Sequence, residues 1–390
     1  MLPQRLPFNL KLPLALISIT IIIYWLSILQ AVLVPFIISI ILSILLFPLC
    51  AWFEKKGIGR VVAITVTLVL FILAIGMLVY LASTQIAGFS EMIPQLVNKL
   101  DQAYNNILKW TAETFNLSTE VQMNQVNNYT DQLISNGGAM VGTALTTTSN
   151  MLGNLSIMPV YMFFLLLYRD FFKDFFYKVF KSATKEQVDE VLSKIYEVIH
   201  SYLSGVMIVT LIVGTLNTIS LLLLGIEYAI FFGFLAAILL IIPYIGILIG
   251  SLLPIIIALV TKDSPMYAVG VAASFFAIQM LEGNFITPNI VGSKVSINPL
   301  VAILGLLMGA VLWGIAGMAL CLPIIAIIKV IFDSVPNLQP YGFLMGEPVS
   351  EQEMMEKKRT RANKIEKEIV NAVNETTSFF RKKKQPKKKE

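Results

Sequence analysis

Histidine and cysteine are nearly missing from this chain. His200 is the only histidine, and Cys50 and Cys321 are the only cysteines, among 390 residues. A Cys/His metal centre and a disulfide framework are therefore unsupported, and both thiols fall in or beside apolar runs, where they behave as small hydrophobes. No G-x-x-x-x-G-K-[ST] phosphate loop occurs, which sets aside nucleotide hydrolysis by that route. An intramembrane protease needs a Ser/His pair or two aspartates at membrane depth, whereas Asp263 and Asp333 stand at the ends of predicted spans. The chain reads as a non-enzyme that uses no cofactor.

Charge is also scarce, at 14% of residues against 56% hydrophobic, and the mean hydropathy is +0.77. Such a composition is too apolar for an ordinary water-soluble domain. Runs long enough for roughly 30 Å of hydrocarbon occur at 12–29, 31–53, 61–83, 151–168, 203–224, 229–260, 265–281 and 300–331. The predicted fold class is an all-α polytopic membrane protein of about eight transmembrane helices. The first run has a basic flank, Arg5 and Lys11, and no small-residue cleavage pattern behind it, so it reads as a retained signal anchor.

Basic residues cluster in the short connections, with Lys55, Lys56 and Arg60 after the second run and Arg169, Lys173, Lys178 and Lys181 after the fourth. By the positive-inside rule both connections, and with them both termini, are expected to be cytoplasmic. An even number of crossings follows. Eight crossings satisfy it, and so do six crossings plus two re-entrant hairpins.

Five regions are expected. Residues 1–83 hold a trio of transmembrane helices and 84–150 an extracytoplasmic helical insert. Residues 151–200 hold the fourth span and a Phe/Lys-rich interfacial helix, 201–340 a membrane half with broken helices, and 341–390 a charged cytoplasmic tail. Within the insert, Met92, Leu96, Leu100, Ala103, Ile107 and Trp110 form one helical stripe, which must bury itself internally or against another subunit. Phe171, Phe172, Phe175, Phe176 and Phe180 interleave with lysines, the mixture of a helix lying among lipid headgroups. The last forty residues carry thirteen Lys/Arg against seven Asp/Glu, a balance that exceeds the +5 of the whole chain. No nucleic-acid motif accompanies this polybasic end, so the bilayer surface is the expected partner and nucleic acid is not.

Two apolar segments are interrupted. In the first, Ile241-Ile-Pro-Tyr-Ile-Gly246 places Pro243 inside a long run, where it removes a backbone donor and frees carbonyls one turn back. In the second, Gly283, Pro288, Gly292 and Pro299 lie among the polar residues Glu282, Asn284, Asn289, Lys294 and Asn298. Paired broken segments are the strongest sequence pointer to a transporter's substrate and ion site. The blander alternative leaves Pro243 as a simple kink and 282–299 as an exposed loop. Gly246-x-x-x-Gly250 and Gly305-x-x-x-Gly309 permit close helix approach, within a subunit or between subunits.

Pro243-Tyr-Ile-Gly246, then Leu281-Glu-Gly-Asn-Phe-Ile-Thr-Pro-Asn-Ile-Val-Gly292, then Asn298-Pro299 before the last long run, together resemble the autoinducer-2 exporter (AI-2E) family of PerM-like bacterial permeases. The resemblance covers roughly residues 10–340 and implies a multi-pass protein of the bacterial inner membrane, assembled as a homo-oligomer. It implies that Pro243, Tyr244 and Gly246 form a first motif and that Glu282, Gly283, Asn284, Pro288, Gly292 and Pro299 form a second. Asn298 departs from the histidine expected there in many relatives, which leaves Glu282 as the main ionisable candidate.

The leading functional reading is a secondary transporter that exports a small polar solute, similar to autoinducer-2 by the family resemblance. Glu282 would take a coupling H+ or Na+, with Lys294 as one candidate partner for its charge, and Tyr244, Asn284 and Asn289 would bond the solute. A Na+(Li+)/H+ antiporter and a non-transporting membrane scaffold are the alternatives.

Overall fold

The structure, a computed structural model, describes residues 8–81, 83–84, 102, 105, 156–181, 183–242, 245–292 and 297–347. The insert stripe at 92–110 and the polybasic end lie outside the described residues. Among those described, the chain is helical and has no strand. The helices are α1 (Phe8–Ile28), α2 (Gln30–Lys55), α3 (Arg60–Leu81), α4 (Met158–Leu167), α5 (Arg169–Val179), α6 (Lys185–Leu223), α7 (Ala229–Leu239), α8 (Ile245–Thr261), α9 (Met266–Leu281), α10 (Pro299–Ser334) and α11 (Gln339–Met345). Five are long and apolar enough to cross a bilayer: α2, α3, α6, α10 and α9 with its continuation to Val291.

The longest helix, α6, organises the rest. Thr184 starts it with a reciprocal capping box, its hydroxyl accepting from the Gln187 backbone N–H at 3.3 Å while the Gln187 side chain accepts from the Thr184 N–H at 2.9 Å. From there α6 packs in turn against α2, α5, α7, α9 and α10. Its buried stripe of Val209, Val213 and Leu221 faces α7 and α9. A separate core of Cys50, Ala63, Ile64, Leu68, Met162 and Leu166 joins α2, α3 and α4.

The apolar runs do not all become single rods. Run 229–260 is divided as expected, and its halves fold back on each other: a Cβ on Gly250 would stand 2.9 Å from the Ala236 Cα, and one on Gly246 would stand 1.8 Å from the Leu239 carbonyl oxygen. Only antiparallel helices bring those pairs together, so α7 and α8 form a hairpin that turns after Leu240. Each arm is short, since eleven residues of α7 span only about 16 Å at 1.5 Å per residue.

The second expected break is absent at Gly283 and Pro288. Instead α9 runs on through two π turns, Glu282–Ile286 and Pro288–Gly292. The Thr287 N–H donates to the Glu282 carbonyl five residues back, and this wider turn makes room for the Pro288 ring where an α-helix would clash with the carbonyl four residues earlier. Along its length this helix lies antiparallel to α6, with Gly270 against Leu224, Ser274 against Ser220, and Val291 against Gly205.

A break the sequence reading did not place occurs in α10. Trp313 (φ −135°, ψ 19°) and Gly314 (φ 59°, ψ −135°) leave helical geometry, and Gly314 adopts a conformation open to glycine alone. A Cβ on Gly317 would stand 2.0 Å from the Gly309 carbonyl oxygen, and one on Gly305 would stand 2.1 Å from the Ile325 Cδ1. So α10 is also a hairpin, with its tip held where the Trp313 indole N–H donates to the Leu26 carbonyl at 3.0 Å. Both small-residue motifs noted above act within the chain.

The two hairpins begin at different levels of α6. Gly225 and Lys262, at the open end of α7/α8, approach each other beside the α6 C-terminus. The base of the α10 hairpin, at Ile297, packs with Val198, in the N-terminal half of α6, and with Met345. From Val198 to Leu224 is about 39 Å of helix.

Candidate functional site

Ile278, Ile286 and Ile290 pack with Val209 and Val213 of α6 and with Leu240 at the tip of the α7/α8 hairpin. Glu282 lies four residues after Ile278 and four before Ile286, so the carboxylate belongs to a helix stripe that is otherwise apolar. It is half-buried. The Gln279 amide donates to its Oε2 at 2.7 Å, and the Thr287 hydroxyl donates to its Oε1. Both donors are neutral, and no ion pair among the described residues involves Glu282. A carboxylate at the centre of a membrane helix costs about 3 kcal/mol, so such a group is retained for a function by default.

Gln279 and Thr287 were not picked out from the sequence. Gln279 stands at the ordinary i,i+3 spacing from Glu282 and was open to discovery. Thr287 is five residues away, which in an α-helix is a different face. Only the π turn brings it under the carboxylate, and π turns cluster at functional sites.

The remaining sequence candidates separate into three groups. Gly283, Asn284, Pro288 and Asn289 are exposed on this helix. The amides of Asn284 and Asn289 donate to the Met280 and Phe285 carbonyls of their own helix at 2.8 and 2.7 Å, so they are occupied locally and do not converge on Glu282. Gly246 is buried at the hairpin tip and Gly292 closes the second π turn. Pro243, Tyr244 and Lys294 lie outside the described residues, as does any Glu282–Lys294 pairing.

Asn298 and Pro299 have a structural task. The Asn298 Oδ1 accepts from the Leu300 N–H at 2.8 Å, its amide donates to the Leu344 carbonyl at 3.3 Å, and its backbone N–H donates to the Met345 carbonyl at 2.9 Å. This N-cap, followed by proline at the first helical position, starts α10 and ties down α11. Asn298→Ala is expected to lower stability by about 1 kcal/mol, read as a lower melting temperature in detergent.

A second polar group lies deeper on α6. Asn217 and Thr218 are buried, and Asn217 Oδ1 and Thr218 Oγ1 find no hydrogen-bond partner among the described residues. Nearby, the Ser274 hydroxyl meets that of Ser220 at 3.4 Å. These residues are few and uncharged within a long apolar run, which hid them in the sequence.

Charge is concentrated at the basic end. Arg60 pairs with Asp170 at 2.5 Å and also donates to the Leu166 carbonyl at 3.1 Å. Its guanidinium holds the Asp170 carboxyl below the usual carboxylate range, against the opposing effect of burial. Arg169 forks onto both oxygens of Glu54 at 2.9 and 2.6 Å. His200 stacks on Tyr196.

The pattern that defines the AI-2E family transporter matches residues 14–337. The chain belongs to the AI-2E transporter family. Among its relatives, YrrI of Bacillus subtilis (strain 168), a candidate transport protein by name, is 27% identical over 79% of this chain and 87% of its own length. A candidate transport protein of Haemophilus influenzae is 27% identical over 86% of this chain and 95% of its length. The AI-2 transport protein TqsA of Escherichia coli (strain K12) is 23% identical over 87% of this chain and 96% of its length. This AI-2E chain is thus a multi-pass membrane protein of a transport family.

Proposed function

We propose that this AI-2E protein is a secondary transporter that carries a small polar solute out of the cytoplasm across the bacterial inner membrane, with both termini inside. The solute class is a compact, sugar-like diol of the autoinducer-2 kind, in keeping with the name of its relative TqsA. The observation that carries this reading is the Glu282 carboxylate, held by two neutral donors on a π-turned helix beside the tip of the α7/α8 hairpin. An ionisable group so placed can exchange a coupling proton or cation as the site opens to one side or the other. Two hairpins rooted about 39 Å apart along α6 would supply gates of opposite polarity. Asn284 and Asn289, exposed on a membrane helix, support a further water-lined or subunit-facing surface, and with it a homo-oligomer.

A Na+(Li+)/H+ antiporter is the second reading, because the same carboxylate would serve a cation directly. A scaffold fits less well, since polar groups at membrane depth would add cost and no function to it.

The test is reconstitution into sealed liposomes holding a pH-sensitive dye, with sodium, lithium and a furanose-like diol offered in turn. Diol-dependent proton movement or diol uptake, with no response to the ions alone, is the expected result. A response to sodium or lithium alone makes the protein an antiporter, and silence to all three removes the transport reading for these substrates.

A further inference from the structure

A cleft of about 560 Å³ opens at the basic end between α2, α5 and α6, well away from Glu282. Its wall combines two cations, Arg169 and Lys173, one carboxylate, Asp189, and the aromatic residues Tyr196, Phe172 and Phe176. We propose that this cleft binds the headgroup of a zwitterionic aminophospholipid, with the phosphate taken by Lys173 and Arg169 and the ammonium by Asp189. The proposal does not rest on the transport reading.

Location points to a lipid. The helix that forms one wall, α5, turns Phe171 and Phe175 outward, 65% and 52% exposed, while Phe172 and Phe176 line the cleft. Rings facing both ways place the cleft mouth at the boundary between acyl chains and headgroups, where an amphipathic helix rich in lysine lies. Cations at that level meet phosphates.

Charge decides which headgroup. Arg169 is neutralised by Glu54, and Lys173 by Asp189 at 2.9 Å. With both cations of the wall already matched, a simple anion gains little here, its one further attraction being Lys185, which stands over the Tyr177 ring beside Asp189. A headgroup that carries both signs gains more, because it can enter between Lys173 and Asp189 and replace each partner with its own. That pair is accessible, with side chains 47% and 43% exposed, and an exposed ion pair is weak enough to be opened. The Tyr177 hydroxyl donates to Asp189 and holds the carboxylate in place while its lysine is exchanged. Arg169 has five N–H donors and gives only some of them to Glu54, so others remain for phosphate. A primary ammonium suits Asp189 better than a choline, which has no N–H to donate.

The test uses the full-length protein in detergent, with native mass spectrometry during titration with dihexanoyl phosphatidylethanolamine, phosphatidylcholine and phosphatidylglycerol, and with soluble phosphoethanolamine. Phosphatidylethanolamine is expected to bind about tenfold or more tightly than the other two lipids. Asp189→Asn should remove its advantage over phosphatidylcholine. Leu192→Trp, which fills the cleft without touching a charge, should remove binding at this site and covers the case in which Asp189→Asn fails to fold. Equal or tighter binding of phosphatidylglycerol overturns the proposal, as does binding unchanged by both variants. Soluble phosphoethanolamine that binds as well as the lipid makes this a solute pocket and overturns the lipid assignment.

Discussion

Glu282→Gln is expected to abolish coupled transport, to at least about tenfold below the wild-type rate, while leaving the melting temperature in detergent unchanged or higher. The two readouts move apart for a physical reason. Glutamine has the length of glutamate: its one oxygen can accept from the Gln279 amide, and its –NH2, standing in for the other oxygen, can donate to the Thr287 hydroxyl, which turns from donor to acceptor, so both contacts can be kept. What disappears is the charge, and with it the cost of keeping a carboxylate at membrane depth, about 3 kcal/mol. A site retained for function against stability shows this opposition of signs. Glu282→Asp keeps the charge but withdraws it from Thr287, and should retain part of the rate. Coupled transport at the wild-type rate in Glu282→Gln, with an unaltered pH profile, would place the coupling group elsewhere.

The legible parts of this molecule were those where a single residue type dictates geometry. Pro243 and the glycines around it placed the first hairpin tip, and Gly246-x-x-x-Gly250 announced the close approach that the Leu239 carbonyl and Ala236 complete. Glu282 stood out because hydrocarbon does not tolerate an idle carboxylate. Pro288 misled because its usual effect assumes α-geometry. With the Thr287 N–H reaching back five residues, the helix widens and carries the ring without a break. Gly314 gave no warning, since glycine is common in membrane helices and the run around it is uniformly apolar. Only its φ of 59° and the backbone contact between Gly309 and Gly317 show that the chain reverses there. Asn298, a site candidate by its polarity, also caps α10 and bonds the Leu344 and Met345 carbonyls some 46 residues away, contacts that only the folded chain reveals.

The α10 hairpin yields the other large effect. Gly317→Ala is expected to destabilise the protein by about 3 kcal/mol and to lower its melting temperature in detergent by roughly 5 °C or more. The added methyl would stand 2.0 Å from the Gly309 carbonyl oxygen, and that oxygen belongs to the backbone of the facing arm, so no side-chain rotation can relieve the overlap. The arms must separate, which pulls Ile325 off Gly305 and loosens Leu320 from its packing with Ile41 of α2 and Ile199 of α6. Gly283→Ala is the matched control. A Cβ there meets nothing within 4 Å, so the change should be neutral or stabilising by up to about 1 kcal/mol, the usual gain when a helical glycine becomes alanine. If Gly317→Ala melts with the wild type, the two arms do not touch and α10 crosses as one rod. If it melts early while Gly283→Ala does not, backbone contact at Gly309 and Gly317 holds the two arms of α10 together.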